Sequence, residues 1–83
     1  MKQKSNVRVL RDLGQLIHDE RVAEGLTQQE LSEKAGLSRY YVSSIESGKK
    51  NMSISVFRDI ASVLEVPSWR WLRQAETDTD KAA

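Results

Sequence analysis

The chain has 83 residues with a formal net charge of +1, 39% hydrophobic residues, one histidine and no cysteine. That length supports one hydrophobic core and no second domain, and the lack of cysteine excludes disulfide staples and thiolate metal sites, so a reducing cytoplasm is the expected compartment. With two Trp, two Tyr and one Phe the core has to be mainly aliphatic, no run approaches the ~20 apolar residues of a membrane span, and the basic start MKQKSNVRVLR lacks the apolar stretch of a signal peptide.

In chain order, apolar residues Leu10, Leu13, Leu16, Ile17 and Val22 make a helical stripe over about 9–24, and Gly25 ends it. Thr27-Gln28-Gln29-Glu30 has the form of a capping box, so a second helix starts at Gln28; Leu31 and Ala35 form its apolar face and Gly36 terminates it. Ser38 caps a third helix over 39–46, with Val42 and Ile45 directed inward beside Leu37 and with Arg39, Tyr40, Ser43 and Ser44 on other faces. Lys49-Lys50-Asn51-Met52 reads as an exposed loop. Ser53 then caps a fourth helix to about Leu64, with a main stripe of Ile54, Phe57, Ala61 and Leu64 and a second apolar line of Val56, Ile60 and Val63. Pro67 favours the first turn of a fifth helix, over 68–74, and from Glu76 no apolar anchor remains. The expected architecture is all-α, a compact bundle of five short helices containing a helix-turn-helix. Residues 1–8 read as a basic flexible arm, 9–75 as the folded domain and 76–83 as a disordered acidic tail.

Charge is distributed unevenly: Lys2, Lys4, Arg8 and Arg11 load the start, Arg39, Lys49 and Lys50 the middle, and Glu76, Asp78 and Asp80 the end. The net value alone argues weakly for a nucleic-acid partner, since such domains are usually strongly basic. More telling is a short helix, a turn of about three residues containing Gly36 and a second short helix from Ser38, which is helix-turn-helix spacing. Two helices crossing steeply over a tight turn need a residue tolerant of positive φ and small side chains at the crossing, which Gly36, Ala35 and Ser32 supply. Pattern alone leaves open a plain αα-corner.

The segment GLTQQELSEKAGLSRYYVSSIESGKKNMS resembles the lambda-repressor-like, Cro-type family of bacterial and phage transcriptional regulators, and the resemblance extends over about 13–72. Its most specific elements are LTQ-x-EL before the first motif helix, AGLS at the turn and IE-x-G-K after the second. The short format with the KKN loop and two trailing helices also resembles the controller proteins of restriction-modification systems. The resemblance implies that Gln28 and Ser38 contact phosphates. It also implies that Arg39, Tyr40, Ser43 and Ser44 read bases, with Arg39 able to make two hydrogen bonds to guanine O6 and N7. Lys49, Lys50 and Asn51 match a loop that clamps phosphates. Tyr41 matches a position that either touches the DNA backbone or covers the core edge. Arg21 and Glu46 match a structural ion pair joining the first helix to the end of the third. The sequence departs from the family where Ser32 replaces a common Ala and, at the junction of the last two helices, where Glu65 replaces a common Gly and Pro67 a capping Ser.

One recognition helix covers few base pairs, so a homodimer on a palindrome is expected. Trp69 and Trp71 lie two apart and cannot face one core; Trp71 with Leu72 goes to the core, and Trp69 with Val56 and Val63 to an isologous interface. The partner expected is double-stranded DNA, with no membrane, small-molecule ligand, metal or cofactor. An enzyme is disfavoured because no G-x-S-x-G, H-E-x-x-H or P-loop signature occurs, and His18-Asp19-Glu20 point to different helix faces and read as a solvated surface. The rival is a protein-interaction or antitoxin-type module that keeps the helix-turn-helix fold.

Overall fold

The computed structural model describes residues 5–77. Five helices follow in order: α1 (Asn6–Ala23), α2 (Gln28–Ala35), α3 (Arg39–Glu46), α4 (Ile54–Val63) and α5 (Ser68–Thr77). Local chemistry sets most of these limits. The Thr27 hydroxyl accepts from the Glu30 amide at 3.0 Å while the Glu30 carboxylate accepts from the Thr27 amide at 2.8 Å, so the capping box forms at the start of α2. Gly36 takes φ 71° and lets the Leu37 amide reach the Ser32 carbonyl at 2.8 Å, which closes α2 and turns the chain toward α3. Ser53 caps α4 through the Val56 amide at 3.1 Å.

Two boundaries differ from the sequence expectation. α1 begins at Asn6 rather than near Val9, because the Ser5 hydroxyl caps the Arg8 amide at 3.3 Å; residues 6–8, assigned to a flexible arm, form its first turn. α5 runs to Thr77, so Glu76 is helical and not part of a tail. Lys2, Lys4, Asp78 and Asp80, with the remainder of the expected arm and tail, lie outside the described residues.

The core gathers Leu13 and Ile17 of α1, Leu31 of α2, Val42 and Ile45 of α3, Phe57, Ile60 and Ala61 of α4, Leu64 and Val66 after it, and Trp71 and Ala75 of α5. Phe57 and Trp71 meet with ring centroids 6.0 Å apart and planes at 41°, a tilted pairing. Trp71 is therefore internal and Leu72 half-buried, as the spacing of the tryptophans implied. On α4 the inward stripe is Phe57, Ile60, Ala61 and Leu64, which corrects two assignments. Ile60 is fully buried and belongs to the core, not to a second external line. Ile54 is 71% exposed and lies on the outer face with Ser55, Arg58, Asp59 and Ser62, because at about 100° per residue it falls at the margin of that stripe. Val22, placed on the stripe of α1, is also exposed, on the last turn before Gly25.

The departures at Ser32 and Glu65 are accommodated. Ser32 is buried, and its hydroxyl donates to the Gln29 carbonyl at 2.7 Å. Glu65 adopts φ 58°, the left-handed conformation for which glycine is usual, and the Val66 amide closes the turn on the Ala61 carbonyl at 2.9 Å. Pro67 precedes α5, and its carbonyl accepts from the Arg70 amide at 2.9 Å.

Candidate nucleic-acid interface

α3 is held from below and bare above. Its N-terminus is capped by the Ser38 hydroxyl, which accepts from the Tyr41 amide at 3.0 Å, so Ser38 keeps only its own proton for an outside acceptor. Val42 and Ile45 are buried, and on the opposite arc Arg39, Tyr40 and Ser43 are exposed, Tyr40 to 82%. Ser44 is half-buried and donates to the Tyr40 carbonyl at 3.0 Å. These four side chains thus share one side of a short, rigidly seated helix, which is the geometry an α-helix needs to enter a major groove about 12 Å wide.

Around this face lie the other expected residues. Lys49, Lys50 and Asn51 are exposed in the segment after α3, and the Lys49 amide is tied to the Ser44 carbonyl at 3.0 Å. Tyr41 is half-buried and packs against the core, yet its ring also carries the Lys50 ammonium, whose nitrogen stands 5.4 Å from the centroid. Tyr41 therefore covers the core edge and steers Lys50 at the same time. Gln28 opens α2, where the first amides have no intrahelical partner, and its side chain is half-buried and turned inward.

The inward partner of Gln28 is Glu46. Arg21 donates to Glu46 through Nε to Oε2 at 2.6 Å and through Nη2 to Oε1 at 3.0 Å, so the ion pair read from sequence forms as a two-point contact with both side chains nearly buried. The third Arg21 donor, Nη1, reaches the Leu26 carbonyl at 2.7 Å, and Gln28 Nε2 donates to Glu46 Oε1 at 3.1 Å. His18 Nδ1 stands 3.0 Å from the same oxygen. One carboxylate thus joins α1, the start of α2 and the end of α3. Burial alone would push the Glu46 carboxyl up, but hydrogen bonds from Arg21, His18 and Gln28 outweigh it and hold the group below its ordinary value. The bond to Glu46 likewise raises Arg21 further above its usual range, against the opposing effect of burial. The participation of His18 corrects its reading as a solvated residue; the available signal was its placement three residues before Arg21 on one helix face. The Gln28–Glu46 bond had no local signal.

Of the residues assigned to a dimer interface, Val56 and Val63 are half-buried and lean on the core, whereas Trp69 is 62% exposed. Among the described residues no helix is long and apolar enough to cross a membrane.

A short helix fixed across another by a glycine turn, with its outer side free, is a helix-turn-helix. Residues 17–68 match the helix-turn-helix family model, and the chain belongs to that family. It is similar to an uncharacterized HTH-type transcriptional regulator, y4dJ, of Sinorhizobium fredii, with 37% identity over 43 residues that make 52% of this chain and 56% of the relative. The matched region thus spans little more than half of that regulator. Among solved structures it resembles the restriction-modification controller protein C.AhdI from Aeromonas hydrophila, with 35% identity and a TM-score of 0.71 over 76% of this chain and 94% of that one. It also resembles the biofilm master regulator SinR, solved in complex with DNA, with 38% identity and a TM-score of 0.69 over 72% of this chain and 97% of that one. These relatives are regulators rather than enzymes.

Proposed function

We propose that this chain is a cytoplasmic, non-enzymatic transcriptional regulator that binds a palindromic operator as a homodimer, one α3 to each half-site. The observation that carries the reading is the bare side of α3: Arg39, Tyr40, Ser43 and Ser44 lie together while Val42 and Ile45 anchor the helix beneath. Arg39 reads a guanine in the major groove, with the neighbouring hydroxyls completing the contact to base edges. The α2 N-terminus with Gln28, the Ser38 hydroxyl, Tyr41 with its partner Lys50, Lys49 and Asn51 hold phosphates on either side, which fixes register without carrying sequence information. Trp69, together with Val56 and Val63, meets its symmetry copy, so that the half-sites fall about one DNA turn apart.

Selection of bound duplexes from a random pool tests this reading. The expected result is a two-fold symmetric site with a guanine in each half, bound with an affinity that falls steeply as salt rises. Recovery of no preferred sequence together with a flat salt response favours a protein-interaction module on the same fold.

A further inference from the structure

At Gly14 the carbonyl end of α3 rests directly on the backbone of α1. A methyl group built on Gly14 of α1 would stand 2.3 Å from the Ile45 carbonyl oxygen and 2.9 Å from that of Glu46. From the other side, a methyl group on Gly48 would stand 2.8 Å from the Arg11 Cα. Arg11, Gly14, His18 and Arg21 fall on one stripe of α1 at three- and four-residue spacing. Along that stripe the Arg11 backbone faces Gly48 beyond α3, Gly14 faces the Ile45 and Glu46 carbonyls, and His18 and Arg21 grip the Glu46 carboxylate. Both glycines are therefore there for closeness, and Gly48 additionally for its φ of 77°.

We propose that Gly14 and Gly48 are positioning residues for sequence selectivity, setting the height and tilt at which α3 presents its outer face; the inference rests on that face being the one that reads DNA. A carbon beside a carbonyl oxygen needs about 3.3 Å, so the 2.3 Å at Gly14 obliges the end of α3 to retreat by about 1 Å. Arg39 lies about 9 Å further along the axis, where α3 is anchored on α2 through the tight turn at Gly36. A retreat at one end alone therefore tilts the helix. A retreat of about 1 Å over about 9 Å leaves Arg39 nearly in place but moves Ser43 and Ser44, nearest the displaced end, by about 0.7–0.8 Å, more than the roughly 0.5 Å that a binding constellation tolerates. Phosphate contacts, being largely electrostatic, do not discriminate at that scale. Selectivity is lost before affinity for DNA as such.

The experiment compares Gly14→Ala, Gly48→Ala and Gly25→Ala in the full chain, measuring affinity for the selected operator and for a random duplex across a salt series, with helical content checked by circular dichroism. Gly25 is the control, since its φ of 75° gives an added methyl group the same backbone strain as at Gly48 but nothing within 4 Å to meet. Expected is a fall of about tenfold or more in the operator-to-random ratio for Gly14→Ala and Gly48→Ala, with the salt slope kept and the ratio for Gly25→Ala unchanged. If Gly14→Ala does not fold, the comparison of Gly48→Ala with Gly25→Ala decides. Retention of the full ratio by the folded variants, or an equal fall in Gly25→Ala, overturns the inference. Absence of any sequence preference in the unmodified chain overturns the reading of α3 instead.

Discussion

Replacing Arg21 with Met keeps most of the side-chain volume and removes the charge, leaving the Glu46 carboxylate, whose side chain is 4% exposed, without its principal partner. Breaking a nearly buried pair in this way costs about 3–5 kcal/mol. The lower end applies, because Gln28 and His18 still face Oε1 at 3.1 and 3.0 Å. A chain of 83 residues has a total stability of about 4–12 kcal/mol, so a loss of about 3 kcal/mol is a large part of it. Urea unfolding followed by far-UV circular dichroism measures the loss, and the double variant Arg21→Met/Glu46→Leu should recover at least half, since no charge is then left buried. The pH dependence has a definite sign. Glu46 is held below its ordinary value of 4.5, so its stabilisation is complete above that value and disappears as pH falls from there through the lower folded one. Arg21 is raised, so its share is lost only at pH above its already high unfolded value. Glu46→Gln should flatten the acid limb. A loss below about 1 kcal/mol for Arg21→Met, or a double variant no more stable than the single one, would refute the reasoning.

Arg39→Ala should weaken operator binding by about 1–3 kcal/mol for each half-site and relax the choice of one guanine there, as read by repeating the duplex selection; a uniform loss across all sequences makes Arg39 a phosphate contact. Replacing Lys49 and Lys50 together by Gln should reduce the slope of log affinity against log salt by about two for each protomer bound, so by about four for the dimer, and an unchanged slope places that segment away from the duplex. Glu65→Gly should raise stability by about 0.5–1 kcal/mol, because relief of the left-handed conformation exceeds the added freedom of the unfolded chain; thermal unfolding with no rise in midpoint contradicts this. Trp69→Ala should leave helical content intact and shift sedimentation toward the monomer, whereas an unmodified chain that is monomeric at tens of micromolar removes the basis for a Trp69 interface.

What was legible in the sequence follows the range of the interactions involved. α2 and α3 begin and end where Thr27, Gly36 and Ser38 place them, because caps and turns act within four residues of their own position. Ser5 acts over the same range, but its neighbours Lys4 and Arg8 made the segment read as a charged arm, and charge does not prevent a helix from starting. On α4 the residues were recognisably apolar on more than one side, yet which side turns inward depends on α2 and α5, so Ile54 and Ile60 exchanged places with respect to the core. The contact of α1 with α3 lies furthest from local pattern. Gly14 inside a helix reads only as a residue that weakens it by about 1 kcal/mol, and His18 only as one polar residue among others. Both acquire a role once the chain brings Ile45 and Glu46 beside them. A glycine placed against helix propensity is itself the trace of such an approach, since a helix interior that omits a side chain gains nothing locally and must gain across the interface.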